Sequence, residues 1–320
     1  MRAVRITRHG GPEVLEVVDI DPPETAPGRL LVDVAAVGVN FRDVYEREGA
    51  YGGTLPAVIG VEAAGAVREV GVYAGDFEPG DRVAWIGAPG SYAEQVSVDA
   101  AKAVPVPDAV GDEVAAAALL QGITAQYLTT ATHEVAPGED VLIHAAAGGL
   151  GLLLTQVVTM LGGRVIATTS TDEKAALARE AGAAEVIGYE GVAERVKELT
   201  DGRGVDVVYD GVGAATFDES LAALRPRGTL VLVGAASGPV PPFDPMRLEG
   251  GGSLYLTRPG LRFYTADREE LLRRAQDVFG WTAEGKLDVR IGARYDLAEA
   301  RRAHEELESR RTTGKLLLLP

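Results

Sequence analysis

An apolar stretch that turns through three glycines is the part of this sequence best suited to bind a phosphate group. Val141-Leu142-Ile143-His144-Ala145-Ala146 predicts a buried strand, and Ala147-Gly148-Gly149-Leu150-Gly151 follows it at once. A helix is predicted to begin at Leu152. Glycines at such a turn let the backbone approach a phosphate, and the amides of a helix N-terminus favour an anion. The segment therefore predicts a dinucleotide pyrophosphate site. Because the spacing is not G-x-G-x-x-G, a glycine turn that only packs a helix on a sheet is the alternative.

The residues after the next strand indicate which dinucleotide fits. In dinucleotide-binding folds, a carboxylate about 20 residues beyond the glycines binds the adenosine ribose and favours NAD. Here that position reads Thr168-Thr169-Ser170-Thr171, and Lys174 follows. Hydroxyl groups and a cation suit a 2′-phosphate, so we expect NADPH, with Ser170 and Lys174 among its ligands. A solvated Lys174 is one alternative. A register shift of two residues, which would bring Asp172 to the ribose, is another.

Strands and helices alternate around these residues. Apolar strands are predicted at 141–146, 164–169, 185–189, 205–210 and 229–235, with a helix-length segment between successive strands. This alternation is typical of a doubly wound parallel sheet, the Rossmann fold. A further strand near 253–258 and a helix over 269–284 follow. We predict that residues 113–285 form an NADPH-binding Rossmann domain.

The sequence before residue 112 has a different character. Short strands at 30–34, 65–70, 82–86 and 92–96 are separated by turns rich in glycine and proline, and an alanine-rich helix is predicted at 112–120. A helix at 299–310 and a strand at 316–319 are expected to return to this region. The fold class is therefore α/β. We predict two domains, a β-rich domain of residues 1–112 completed by 286–320, and the Rossmann domain.

Composition excludes several classes of protein. The 320 residues include no cysteine, which rules out disulfides, thiolate nucleophiles and cysteine-containing zinc sites. The net charge of −16 would repel nucleic acid and anionic membranes. No run approaches the roughly 18 apolar residues of a membrane span. We expect a cytoplasmic protein with a small-molecule substrate and no metal, since the histidines are scattered without ligand spacing: His9, His133, His144 and His304.

Several short motifs resemble one superfamily. The chain is similar to the medium-chain dehydrogenases/reductases, and within them to the bacterial quinone oxidoreductases related to zeta-crystallin. The resemblance covers nearly the whole chain and implies that the β-rich domain is a GroES-like catalytic domain. The motifs that carry it, besides the glycine loop, are Val39-Asn40-Phe41-Arg42-Asp43, Gly60-Val61-Glu62-Ala63-Ala64-Gly65, Gly80-Asp81-Arg82-Val83, Gly252-Ser253-Leu254-Tyr255-Leu256-Thr257-Arg258-Pro259 and Gly314-Lys315-Leu316.

The resemblance implies a zinc-free reaction. Asn40 stands where the zinc-dependent alcohol dehydrogenases have a cysteine ligand, and Gly60-Val61-Glu62 stands in place of their Gly-His-Glu. Without a Lewis acid the site would not readily polarise an alcohol, but it can reduce an acceptor that is already conjugated to a carbonyl. The expected activity is NADPH-dependent hydride transfer to a quinone or other conjugated enone, in a cleft between the two domains.

The resemblance also assigns site residues. Asn40 and Tyr45 are expected beside the nicotinamide, with Arg42 at the same mouth and Thr124 against the nicotinamide, and these four are the candidate catalytic residues. Tyr45 either hydrogen-bonds the substrate carbonyl or only shapes the pocket, and Thr124 is alternatively a helix-terminal hydroxyl. The remaining cofactor contacts are expected from Tyr189 and Gly213 on the adenosine side, Val233, Gly234 and Ala235 under the nicotinamide, Thr257 near the carboxamide and Lys315 near the pyrophosphate.

Two other functions stay open at this stage. The same scaffold serves enoyl-CoA or enoyl-thioester reductases, although the first domain shows no obvious basic cluster for the phosphates of CoA. A non-catalytic NADPH-binding protein, like some lens crystallins, is the other. The resemblance further implies a homodimer, formed through the strand near 253–258.

Overall fold

The computed structural model describes the whole chain, from Met1 to Pro320. Its sixteen strands are β1 (Arg2–Ile6), β2 (Glu16–Asp19), β3 (Arg29–Val39), β4 (Ala57–Val58), β5 (Glu62–Val70), β6 (Arg82–Ile86), β7 (Gln95–Asp99), β8 (Ala103–Pro105), β9 (Asp140–Ile143), β10 (Arg164–Thr168), β11 (Glu185–Ile187), β12 (Val205–Asp210), β13 (Leu224–Leu232), β14 (Tyr255–Thr257), β15 (Ile291–Asp296) and β16 (Lys315–Leu319).

Nine α-helices connect or cover these strands. They are α1 (Phe41–Arg47), α2 (Asp112–Tyr127), α3 (Gly149–Met160), α4 (Asp172–Glu180), α5 (Val192–Leu199), α6 (Phe217–Ala223), α7 (Met246–Gly250), α8 (Arg268–Ala283) and α9 (Ala300–Glu308). None of them combines the length and the apolar character that a bilayer crossing requires.

The chain divides into two compact units. Met1–Ile123 and Thr265–Pro320 form the first unit, and Thr124–Tyr264 forms the second. The sequence placed the domain boundaries near residues 112 and 285 instead. The first part of α2 and the whole of α8 fall in the first unit, because both are bonded to it. Leu120 N donates to Glu62 Oε1 at 2.6 Å, and Arg268 Nη1 donates to the carbonyl of Ala100 at 2.9 Å.

The second unit contains a six-stranded sheet with the order β11-β10-β9-β12-β13-β14. Every neighbouring pair is parallel, which confirms the predicted doubly wound sheet. All six residues of β12 are buried, as expected for a strand covered by helices on both faces. The strand order reverses at β9. In open α/β sheets, ligands bind at such a switch point, beyond the carboxyl ends of the strands.

The first unit contains two sheets. One has the order β15-β16-β3-β5-β6-β8, with β7 also paired to β3, and the other has the order β2-β1-β4. Trp85 and Tyr92 are among the largest side chains fully buried in this unit. Strand β16 runs antiparallel to β3 and places Leu316 opposite Val39. Strand β16, near the end of the chain, and β3, within its first forty residues, therefore share a sheet.

One predicted strand of this unit is displaced. The segment 92–96 was expected to be extended throughout, but β7 begins only at Gln95. Gly90 adopts φ +85°, and the chain then turns inward, so that Tyr92 is completely buried. The amide of Tyr92 donates to Ile59 O, and its carbonyl accepts from Val4 N. These bonds to two different segments replace a regular ladder.

Candidate functional site

The glycine loop leads directly into α3. This helix begins at Gly149, with Gly148 as its N-cap, so the prediction that it begins at Leu152 was wrong. The reason is that Leu152 N already donates to Gly148 O at 2.9 Å. This first turn packs closely, because a β-carbon on Gly151 would lie 2.4 Å from Ala145 O. No side chain caps the N-terminus. The first amides of α3 and its dipole are therefore suited to an anion.

The residue before this turn has an unusual conformation. Ala145 adopts φ +52°, in the left-handed region that costs a residue with a β-carbon about 1–2 kcal/mol. Its amide donates to Tyr189 Oη at 3.1 Å and to Thr168 Oγ1 at 3.3 Å. The Tyr189 ring also stacks on His144, with centroids 6.1 Å apart. Tyr189, expected at the adenosine, is thus tied to the start of the glycine loop.

A buried polar network lies beneath the loop. His144 Nδ1 and Nε2 each lie 3.0 Å from a hydroxyl, of Thr168 and Ser220 respectively. Ser220 Oγ donates to Asp210 Oδ2 at 2.8 Å, and Asp210 Oδ1 accepts from the amide of Gly213 at 3.0 Å. Burial lowers the pKa of His144 and keeps it neutral. His144 is thus a buried residue with both ring nitrogens hydrogen-bonded, and its link to the turn of Gly213 was not predicted.

The region expected to bind the 2′-phosphate lies between β10 and α4. Thr168 ends β10 and is buried, whereas Ser170 is exposed. Thr171 is the N-cap of α4, and its hydroxyl accepts from Lys174 N at 3.3 Å. Burial lowers the pKa of the Lys174 ammonium. Asp172 lies in the first turn of α4 rather than at the strand end.

The other predicted cofactor residues of this unit follow the strands of the parallel sheet. Because the carboxyl ends of parallel strands meet at one edge, this arrangement brings them to the same side of the sheet as the glycine loop. Gly213 follows β12 with φ +89°, and Thr257 is the last residue of β14. Val233, Gly234 and Ala235 follow β13, which ends at Leu232, so the prediction that they end the strand was wrong. Thr124 is buried within α2.

That strand ends early for a steric and a hydrogen-bonding reason. The amide of Val233 makes the last bond of the ladder, to Asp210 O at 2.7 Å, and the amide of Gly234 turns back to the same oxygen at 3.3 Å instead of continuing the ladder. A β-carbon on Gly234 would lie 2.7 Å from Gly211 O. The two turns after β12 and β13 therefore pack backbone against backbone.

In the first unit, Lys315 does not present its ammonium at the surface, where a pyrophosphate ligand was expected. It is 1% exposed, and its Nζ donates to Asn40 Oδ1 at 2.7 Å and to Glu62 Oε2 at 2.6 Å. Asn40 and Glu62 are buried as well. Asn40 Nδ2 donates to Glu62 Oε2 at 2.8 Å. The position that resembles a zinc-ligand motif therefore holds a compact cluster of a lysine, an amide and a carboxylate.

Helix α1 presents the other predicted catalytic residues of this unit. Arg42 pairs with Glu46 at 3.0 Å, and its guanidinium lies 5.2 Å from the centroid of the Tyr51 ring. The Tyr45 ring lies 6.3 Å from that of Phe41 and 6.4 Å from that of Tyr51. The helix thus brings aromatic faces together with a cation. Tyr51 was not singled out from the sequence, where only its type and its distance of six residues from Tyr45 hinted at this role.

Asn40 is also held through its backbone. As the N-cap of α1, its amide donates to Asp43 Oδ2 at 2.9 Å. The same carboxylate oxygen accepts from Tyr92 Oη at 3.0 Å, and Tyr92 Oη lies 3.0 Å from His304 Nε2. Burial raises the pKa of Asp43 to about 7 and lowers that of His304 to about 3. No sequence pattern predicted this buried line of groups.

A buried acceptor beside Asn40 has no hydrogen-bond partner. Gln121 Oε1 is buried and unpaired, while Gln121 Nε2 reaches Asn40 Oδ1 at 3.5 Å. Such an atom is costly unless a ligand or water donates to it. No three histidine, aspartate or glutamate side chains are grouped as metal ligands.

Comparison with known proteins agrees with both units. Residues 26–108 match the model for the alcohol dehydrogenase GroES-like domain, and residues 149–275 match the model for zinc-binding dehydrogenases. The quinone oxidoreductase of Pseudomonas aeruginosa is 46% identical over 100% of this chain and 99% of its own length.

Two solved structures extend the comparison to three dimensions. A mycobacterial protein solved in complex with NADPH is 51% identical, covers 100% of both chains and superposes with a TM-score of 0.97. The Escherichia coli quinone oxidoreductase, also solved in complex with NADPH, is 42% identical over 100% of both chains, with a TM-score of 0.98. The chain therefore belongs to the zinc-independent quinone oxidoreductases of the medium-chain dehydrogenase/reductase superfamily.

Proposed function

We propose that this chain is an NADPH-dependent oxidoreductase that reduces quinones and other conjugated enones by hydride transfer without zinc. The observation that carries the proposal is the N-terminus of α3 at the switch point of the parallel sheet, with Gly151 packed against Ala145 and no side chain hydrogen-bonded as a cap to the helix end. The relatives solved with NADPH support the same ligand.

The residues of the second unit fit NADPH. The amides of residues 147–151 would bind the pyrophosphate, and Ser170 with Lys174 the 2′-phosphate. Tyr189 and Gly213 are proposed for the adenosine side. Thr124, Val233, Gly234, Ala235 and Thr257 are proposed for the nicotinamide side.

Residues of the first unit are proposed to serve the acceptor. When bound, NADPH supplies the hydride, and one further proton completes the reduction of a quinone to a hydroquinone. Tyr45, Phe41 and Tyr51 offer ring faces to a planar conjugated molecule, and the Arg42 guanidinium offers positive charge to an oxygen that becomes anionic. Asn40, which is fully bonded inside the unit, would contribute a fixed surface rather than a free donor.

A turnover screen tests the proposal. The purified protein is assayed with NADPH and with NADH against 1,4-benzoquinone, 9,10-phenanthrenequinone, simple enones and crotonyl-CoA, with and without a chelator. We expect turnover of the quinones with NADPH that the chelator does not change. Preference for crotonyl-CoA would instead indicate an enoyl-thioester reductase. NADPH binding without turnover of any acceptor would indicate a non-catalytic protein, and loss of activity with the chelator would contradict the zinc-free reaction.

A homodimer and a cytoplasmic location are also part of this proposal. β14 is the edge strand of the six-stranded sheet and pairs only with β13. Its first residue, Tyr255, is 61% exposed, and a large apolar side chain on an open edge is suited to pairing with a second copy. Light scattering on the wild type and on Tyr255→Asp tests this, with a dimer expected for the first and a larger monomer fraction for the second.

A further inference from the structure

The cluster around Lys315 accounts for every polar atom of the Asn40 side chain. Nδ2 has two protons, and it donates to Glu62 Oε2 at 2.8 Å and to Gly38 O at 3.2 Å. Oδ1 accepts from Lys315 Nζ at 2.7 Å and from Gln121 Nε2 at 3.5 Å. Rotating the amide by half a turn would point its NH₂ group at the ammonium and its oxygen at the carboxylate. The lysine and glutamate therefore permit a single orientation of Asn40.

The surrounding backbone is shaped to admit this cluster. A β-carbon on Gly38 would lie 2.4 Å from Glu62 Oε2 and 2.8 Å from Lys315 Cε. Only glycine lets the two long side chains meet beside β3. The second carboxylate oxygen, Glu62 Oε1, accepts from Leu120 N at 2.6 Å. Both carboxylate oxygens of Glu62 thus accept hydrogen bonds from groups other than the lysine.

The ammonium is fully enclosed by its partners. Lys315 and Glu62 have side-chain exposures of 1% and 0%, and the structure gives the ammonium only Asn40 and Glu62 as partners. Burying such an ion pair rarely adds net stability over an apolar pair of similar size. The pair is better explained by what it orients, which is the amide side chain of Asn40 at the N-cap of α1, the helix that carries Arg42 and Tyr45.

We propose that Lys315 is a positioning residue for the reaction, whose buried ammonium fixes the carboxamide of Asn40, rather than a ligand of the cofactor's phosphates. The inference rests on the proposed function and adds a residue to it. The positive charge of Lys315 acts through Asn40 and is balanced by the carboxylate of Glu62. Removing the ammonium should therefore lower kcat while leaving the KM for NADPH nearly unchanged.

Four variants test the inference: Lys315→Met, Glu62→Gln, the double variant, and Lys286→Met as a control. Lys286 pairs with Glu284 at 2.6 Å, but is 61% exposed. kcat and KM for NADPH are measured with 1,4-benzoquinone, and Tm by calorimetry. Lys315→Met should lower Tm on the order of 10 °C, because it leaves a buried carboxylate unpaired. It should lower kcat on the order of 100-fold, with KM for NADPH changed by less than about twofold. The control should change none of these.

The double variant separates orientation from stability. The double variant buries no unpaired charge. Most of the decrease in Tm caused by Lys315→Met should therefore be reversed, and the double variant should fold even if Lys315→Met does not. Asn40 Oδ1 loses the lysine donor and keeps only the long contact to Gln121 Nε2, and an amide at position 62 no longer imposes one orientation on Asn40, so kcat should stay low. Recovery of kcat together with Tm would overturn the inference, as would a tenfold rise in KM for NADPH at unchanged kcat in Lys315→Met.

Failure of the proposed function looks different. A wild-type protein that turns over no acceptor would refute that function and, with it, any positioning role for Lys315. In that case only the Tm values test the interaction between Lys315 and Glu62. Strictly additive losses in the two single variants and the double variant would refute the pair itself.

Discussion

Arg47 Nη1 lies 3.1 Å from His304 Nδ1. This contact determines which group donates and which accepts in each hydrogen bond of the buried line from His304 through Tyr92 to Asp43. A guanidinium can only donate, so Nδ1 must accept and the proton of the neutral imidazole is on Nε2. Nε2 then donates to Tyr92 Oη, and the tyrosine hydroxyl donates to Asp43 Oδ2. The line therefore requires a neutral His304 and ends on Asp43 Oδ2 as an acceptor.

The first prediction follows from the neutral histidine. The pKa of His304 is about 3 in the folded protein, against 6.5 for an unperturbed histidine. Its contribution to stability is thus complete above pH 6.5 and is lost as the pH falls toward 3. In His304→Gln, which keeps an acceptor for Arg47 and a donor for Tyr92, this dependence disappears.

Urea unfolding at several pH values measures it. The free energy of unfolding of the wild type minus that of His304→Gln should increase by about 1.4 kcal/mol per pH unit between pH 4 and 6, and level off above 6.5. Subtraction removes the opposite contribution of Asp43, whose raised pKa of about 7 favours the folded state at low pH. A difference that does not depend on pH would contradict a buried neutral histidine.

The second prediction concerns Tyr92→Phe. The substitution removes a donor to Asp43 and an acceptor for His304 without changing the packing of the ring. We expect a loss of about 1–3 kcal/mol in the free energy of unfolding, because two buried groups lose a partner. Tyr73→Phe is the matched control, since Tyr73 is 94% exposed and should change stability by less than about 0.5 kcal/mol. Equal effects of the two substitutions would show that the buried hydroxyl contributes nothing.

The third prediction tests the 2′-phosphate site. Lys174→Ala should raise the KM for NADPH about tenfold and leave the KM for NADH nearly unchanged. A tenfold change corresponds to about 1.4 kcal/mol, the contribution expected from one partly exposed hydrogen bond between charged groups. Lys197→Ala, in the exposed part of α5, is the control in the same unit. Equal effects on the two cofactors would refute the assignment of Lys174.

The fourth prediction tests the glycine loop. In Gly151→Ala the added methyl would clash with Ala145 O, so the first turn of α3 must move away from the loop. We expect the Kd for NADPH, measured by fluorescence titration, to rise at least about tenfold. Gly188→Ala, where a β-carbon meets no atom within 4 Å, should leave the Kd unchanged. Unchanged binding in Gly151→Ala would remove the main support for the phosphate site.

The sequence predicted the parallel sheet well because its strands are buried on both faces and read as apolar runs. β12 matches its predicted range of 205–210 residue for residue. Errors arose where a strand meets a turn. β9 ends at Ile143 instead of Ala146, since Ala145 has to adopt a left-handed conformation before the helix, and no pattern of residue types reveals that.

The polar clusters could not be predicted, because their members are far apart along the chain. Tyr92 and His304 are separated by 212 residues, and Glu62 and Lys315 by 253. The motifs drew attention to Asn40, Glu62 and Lys315 separately. Only the antiparallel pairing of β16 with β3 shows that they form one cluster, and that Lys315 points into the protein.

The discontinuous first unit has a consequence for synthesis of the chain. The second unit, Thr124–Tyr264, is one unbroken segment, whereas the first needs Thr265–Pro320 to provide β15, β16 and α9. Because translation proceeds from the N-terminus, the sheet that contains β3 lacks β15 and β16 until the whole second unit has been translated. During that interval Asn40 has been synthesised and Lys315 has not. Nascent chains should therefore complete the fold of the second unit first and the cluster of Asn40, Glu62 and Lys315 last.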